Sequence, residues 1–135
     1  MTKDRNKDIF DQKIGSLLQK ENIQYEFVQN DDFEYVQLNR VLISNYASWS
    51  GYTFMVGISM IKRLSNKLSR KKVKHIVLDC DYVNSKRQLE IFNTASWGYF
   101  ESSWIENGII LRQYKYKQEL EPFLEYVEER IEQIP

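Results

Sequence analysis

Residues 44–55 read SNYASWSGYTFM, a run of small and aromatic residues between two apolar segments. Before it, Val41 to Ala47 (VLISNYA) reads as a buried strand. After it, Phe54, Ile58, Ile61, Leu64 and Leu68 fall near one stripe, which predicts a helix over Thr53–Leu68. The stretch is therefore a strand-to-helix corner. It contains no cysteine.

Working outward, Val73 to Leu78 (VKHIVL) is a second apolar strand, closed by Asp79, Cys80 and Asp81. Ser85 to Phe92 predicts a helix capped by Asn84 or Ser85. Phe100–Ile105 and Ile109–Tyr114 read as strands joined by Glu106-Asn107-Gly108, and Asn-Gly is the strongest short hairpin signal. Glu119–Ile131 predicts a closing helix with Leu120, Leu124, Val127 and Ile131 inward and Pro122 in its tolerant first turn. Towards the amino terminus, Ile23 to Val28 alternates as a strand, and Asp31–Leu38 predicts a short helix. Ahead of that, Phe10, Ile14, Leu17 and Leu18 mark one face of a helix over Asp4–Glu21. Strands alternating with helices imply parallel pairing through right-handed crossovers, and the hairpin adds an antiparallel edge. The expected fold class is α/β, a mixed five-stranded sheet with helices on both faces.

The 135 residues suit one domain with a real core. Nineteen basic and nineteen acidic residues cancel, so no global field draws the chain to nucleic acid or membranes. The single cysteine, Cys80, excludes an internal disulfide and a multi-cysteine metal site. MTKDRNKDIF lacks the apolar core of a signal peptide, and no stretch approaches the roughly 18 apolar residues of a membrane span. These features predict a soluble, cytoplasmic protein with no cofactor and no metal.

From Ile23 onward the order and spacing resemble thioredoxin. IQYEFVQNDDFEYVQL is similar to that family's first strand and following helix. VLISNYASWSGYTFM resembles the second strand running into the Trp-Cys-Gly-Pro-Cys site, and VKHIVLDCD the third strand with its Asp ending. WGYFESSWIENGIIL resembles the cis-proline loop and hairpin, and ELEPFLEYVEERI the last helix. The resemblance implies a three-layer thioredoxin-like domain over residues 23–135, preceded by a helical extension over 1–22.

The departures bear on function. Trp49 and Gly51 stand at family positions, but Ser50 and Thr53 occupy the two cysteine positions and Tyr52 replaces the proline between them. Ser44 takes the place of the buried acid, and Phe100 that of the cis-proline. Exchange needs a thiolate, and a helix dipole cannot ionise a serine. Ser50 would need a base. The sole histidine, His75, starts the third strand, on the order of 15–20 Å away at the opposite end of the sheet. Disulfide reduction is not expected, nor is a hydrolase at Ser50.

The resemblance also implies a peptide-binding groove formed by Trp49, Ser50, Gly51, Tyr52, Thr53, Trp97, Gly98, Tyr99 and Phe100. Its aromatics read either as recognition anchors or as core. Ser50 and Thr53 also suit a helix start as caps. Phe10, Ile14, Leu17 and Leu18 must bury on their own domain or on another chain, which leaves a homodimer through this helix open. The expected function is a redox-inactive module binding a protein or peptide. One alternative is an enzyme with relocated chemistry, through a thiol activity of Cys80 or acyl transfer at Ser50. Cys80 also reads as an ordinary buried residue beside the sheet. Another is nucleic-acid binding by the basic segment 62–74 (Lys62, Arg63, Lys67, Arg70, Lys71, Lys72, Lys74). No aromatic interleaves that run, and cations favour helix carboxyl ends, where the acidic last helix on the same sheet face can offset them.

Overall fold

A computed structural model describes residues 3–16, 25–30, 33–93 and 98–135. Helix α1 (Lys3–Phe10) widens into a π turn (Asp11–Gly15). Strand β1 (Tyr25–Val28) and a 3-10 turn (Glu34–Gln37) lead into β2 (Arg40–Tyr46) and α2 (Gly51–Arg70). Then come β3 (Lys74–Asp79), α3 (Ser85–Phe92), the hairpin β4 (Ser102–Glu106) and β5 (Ile109–Tyr114), and α4 (Leu120–Glu132).

The sheet order is β1-β3-β2-β4-β5. Strands β1, β3 and β2 are parallel, and β4 and β5 run antiparallel beside them. The period-2 alternation sorts each strand onto two cores. Leu42, Tyr46, Val77 and Trp104 face a large core shared with α1, α2 and α4. Val41, Ile43, Ile76, Leu78 and Ile105 face a smaller one with Phe33, Val83 and Phe92. This is the expected three-layer, thioredoxin-like α/β arrangement with an added amino-terminal helix.

Local chemistry explains the boundaries. Asn84 caps α3 by accepting from the Arg87 N–H at 3.0 Å, and Asn93 closes it in the left-handed region (φ +52°). Asn107 and Gly108 both have positive φ (+53° and +79°), as a two-residue turn matched to the strand twist requires. Arg63 bridges Glu121 and Glu128, and Lys67 pairs with Glu128, so the basic end of α2 is partly neutralised by α4 on the same sheet face.

Three expectations change. The helix expected over Asp4–Glu21 is a regular α-helix only to Phe10, widening where Gly15 passes the Tyr25 hydroxyl; a Cβ there would lie 3.2 Å from that oxygen. Its last residues, with Leu17 and Leu18, lie outside the described residues, as do Ile23, Asp31 and Asp32. The helix expected over Asp31–Leu38 contracts to one 3-10 turn, because Phe33 and Val36, three apart, both pack on the smaller core. Strand β4 starts at Ser102 and not at Phe100, whose φ of +56° cannot continue a strand. Among the described residues no helix is long and apolar enough to cross a membrane.

Candidate functional site

The corner is built by a turn at the end of β2. The Ser50 N–H donates to the Ala47 carbonyl at 3.1 Å, and Gly51 begins α2. Ser50 holds the N-cap position without capping: its hydroxyl donates to the Gly98 carbonyl at 2.7 Å. Thr53 does not cap either. Its buried Oγ1 accepts the Ala47 N–H at 3.2 Å. The two hydroxyls that replace thiols therefore fasten the corner to its own strand and to the loop before β4. Gly98 (φ +83°) is pressed against Ser50 so closely that a Cβ would lie 2.6 Å from the Ser50 Cβ.

Burial divides the expected binding set. Trp49 is 58% exposed and Tyr52 55%, and Gly51 is also open to solvent. Tyr99 is half-buried. Ser50, Thr53 and Gly98 are buried, and Phe100 is fully so, with its ring against Gly57 and edge-on to His75. Phe100 therefore presents no surface to a partner, because its left-handed backbone turns the ring into the core. Trp97 lies outside the described residues. Sequence reasoning missed Tyr116, which stacks on Tyr99 at 4.0 Å (interplanar angle 23°), while Tyr52 also meets Tyr99, at 5.1 Å. The result is a ladder Tyr52–Tyr99–Tyr116 with Trp49 and Met55 exposed near the same helix start. No periodicity could have flagged Tyr116, since it sits in the loop after β5.

Beneath the corner lies a buried polar chain. Ser44 Oγ is 2.8 Å from His75 Nε2 and 2.6 Å from Ser102 Oγ, and the Ser102 hydroxyl donates to the Phe100 carbonyl at 3.0 Å. The protons close in one direction: His75 Nε2–H to Ser44, Ser44 to Ser102, Ser102 to the carbonyl. His75 Nδ1, which has no partner, is then a bare acceptor, which costs less than a stranded N–H. Burial alone pushes the His75 pKa down to about 3, so the ring is neutral. Ser44 and His75 are both fully buried, which closes this pair to any substrate. His75 thus serves Ser44 and not Ser50, whose own partner is Gly98.

The amino-terminal helix completes the other flank. Asn6 is buried; its amide donates to Asp79 at 3.1 and 3.2 Å and to Asp81 at 2.8 Å, and its carbonyl accepts the Ser48 hydroxyl at 3.1 Å. Gln29 donates to Asp79 as well, at 3.0 Å. Burial raises the Asp79 pKa, and these donors partly offset it. Phe10 fills a cage of Tyr25, Phe27 and Tyr46 with ring centres 4.7–5.3 Å away, and Ile14 is fully buried. Two of the four residues named as a partner helix are thus buried within this chain, and a homodimer cannot use them. Cys80 is half-buried, its Sγ 3.8 Å from the Leu78 carbonyl. No cluster of three His, Cys, Asp or Glu suited to a metal occurs among the described residues.

No family model matches the chain, and no curated protein matches it by sequence. Solved structures do match. Malassezia sympodialis thioredoxin superposes with a TM-score of 0.58 at 16% identity, over 83% of this chain and 91% of that one. A point-mutant thioredoxin from Halobacterium salinarum gives 0.57 at 16% identity, over 83% and 95%. Chlamydomonas reinhardtii thioredoxin f2 gives 0.57 at 16% identity, over 82% and 98%. At such identity the likeness speaks of architecture and not of chemistry. The chain has the thioredoxin fold.

Proposed function

We propose that this protein is a polypeptide-binding module that performs no disulfide exchange. The observation that carries the reading is the aromatic surface at the corner: Trp49 and Tyr52 more than half exposed, with Tyr99 in contact with both Tyr52 and Tyr116. Large rigid aromatics left in water are the residues that anchor interfaces at small entropic cost. The chemistry of the corner supports the redox half of the reading. Positions 50 and 53 carry hydroxyls whose hydrogen bonds are spent on Gly98 and Ala47, so neither is poised as a nucleophile.

The test is a pull-down from the native cell extract with the wild type, Tyr52→Ala and Tyr99→Ala, beside an insulin-reduction assay with a dithiol donor. The expected result is no reduction, and a partner retained by the wild type but depleted by both variants. Equal recovery of every partner by all three proteins would refute the aromatic site. Turnover that vanishes on Cys80→Ser would replace the module with a thiol enzyme.

A further inference from the structure

We infer that a second site, at the opposite end of the sheet from the aromatic corner, binds a small phosphate-bearing anion. A cleft of about 290 Å³ lies where β2 and β3 begin and α2 ends, lined by Leu38, Asn39, Arg40, Lys71, Lys72, Val73 and Lys74. Four of these seven side chains are cationic. They come from two separate segments, brought together because Val41 pairs with Lys74 in the parallel ladder.

Among the described residues their charges are poorly answered. Arg40 approaches Glu106 only to 3.8 Å, and that carboxylate is already held by Arg130 through bonds of 2.7 and 2.8 Å. Lys71 donates to the Ile134 carbonyl, which carries no full charge. Lys74 meets Glu26 at 2.8 Å, but both side chains are more than half exposed, so water or a ligand exchanges with that pair readily. Lys72 is exposed, and its backbone is the part the fold uses.

That backbone is the second indication. The Lys72 N–H reaches the Ser69 carbonyl at 3.1 Å and the Val73 N–H reaches Leu68 at 2.9 Å, the paired closure of a helix carboxyl end. The residue that makes this closure must be left-handed, and Lys72 has φ +58°. Glycine is the ordinary occupant of this position, because a Cβ is disfavoured there. The attraction of cations to a helix carboxyl end accounts for Lys67 and Arg70. It does not account for Arg40 and Lys74, which lie on strands.

The ligand class follows from charge and size. Four cations exceed what one carboxylate neutralises and match a di-anionic or more highly charged phosphoryl group, with Arg40 able to bind it bidentately. The cleft holds a small group, and Leu38, Asn39 and Val73 offer no aromatic face on which a nucleic-acid base could stack.

The test is calorimetric titration of the full chain with inorganic pyrophosphate. The expected outcome is saturable binding of one equivalent, weakened on the order of tenfold by Lys72→Gly and by Arg40→Gln, each losing one charge-assisted contact. Lys72→Gly suits the left-handed backbone, so its loss of affinity cannot be blamed on unfolding. Lys62→Gln, an exposed α2 residue outside the cleft, removes the same charge and should leave affinity unchanged. No saturable binding by the wild type would overturn the site. So would equal weakening by all three variants, which would reduce the effect to net charge, or unchanged binding by Lys72→Gly.

Discussion

At the carboxyl ends of β2 and β3 a set of buried polar groups is hydrogen-bonded: Asn6 on Asp79, Ser50 on Gly98, Thr53 on Ala47. The large side chains that face water beside them are Trp49, Tyr52 and Met55. At the amino ends of the same strands the arrangement is reversed. Leu42 and Ile76 are buried, while Arg40, Lys72 and Lys74 face solvent with little to answer their charge. The contrast teaches that polarity does different work at the two ends. Removing a polar group at the corner should cost stability, and removing one at the basic end should cost binding.

The sharpest way to break this comparison is Asn6→Ala. It strips the amide from two carboxylates, one of them buried, and should lower unfolding stability by about 2–3 kcal/mol. Urea denaturation reads it directly; an unchanged midpoint would mean that the corner's polar contacts are ornamental.

Next comes acid, which tests the border between the two regimes. Lys74 is exposed and charged, and His75, one residue on, is buried and neutral. The unfolded chain protonates His75 below its ordinary value near 6.5, whereas the folded chain holds it neutral down to about 3. Its contribution is present above pH 6.5 and lost as the pH falls towards 3, by about 2 kcal/mol at pH 5. Denaturation midpoints at pH 7 and pH 5 should show this slope in the wild type and a flatter one in His75→Leu. Asp79 works in the opposite sense, because its raised pKa favours the fold as acid is added, so the difference between the two proteins isolates the histidine.

Smaller effects sharpen the contrast. Lys72→Gly should raise stability by about 1 kcal/mol, since the left-handed position prefers glycine, while it weakens pyrophosphate binding. Tyr52→Ala should change stability by no more than about 0.5 kcal/mol, as befits an exposed side chain, even as it depletes the partner. Both would be read by thermal melting beside the binding assays.

The architecture was legible because it rests on local signals. Alternation in VLISNYA and VKHIVL, the stripe of α2 and the Asn107-Gly108 turn each act within a few residues, and their order leaves few topologies. Ser44, Ser50, Thr53 and Phe100 were recognisable as departures by position alone. What they do instead was not legible, because each answer lies across the fold. Ser44 meets Ser102 through the antiparallel register of β2 and β4, and reaches His75 across the parallel pairing of β2 and β3. Asn6 is one polar residue among the charges of α1, and Arg40 one charge at a strand start, so neither carries a local signal. Tyr116 had no pattern to belong to. The hydroxyls at 50 and 53 resembled helix caps, a local role, and were claimed by Gly98 and Ala47.

The Asn6–Asp79 contact spans 73 residues of chain. During synthesis, α1 is made long before its acceptor exists. At roughly 5–20 residues per second, Asn6 waits about 4–15 seconds for the carboxylate that receives it. Until then the polar anchor of α1 is missing, so the helix that seals the large core through Phe10 and Ile14 is fixed in place only after β3 has been made.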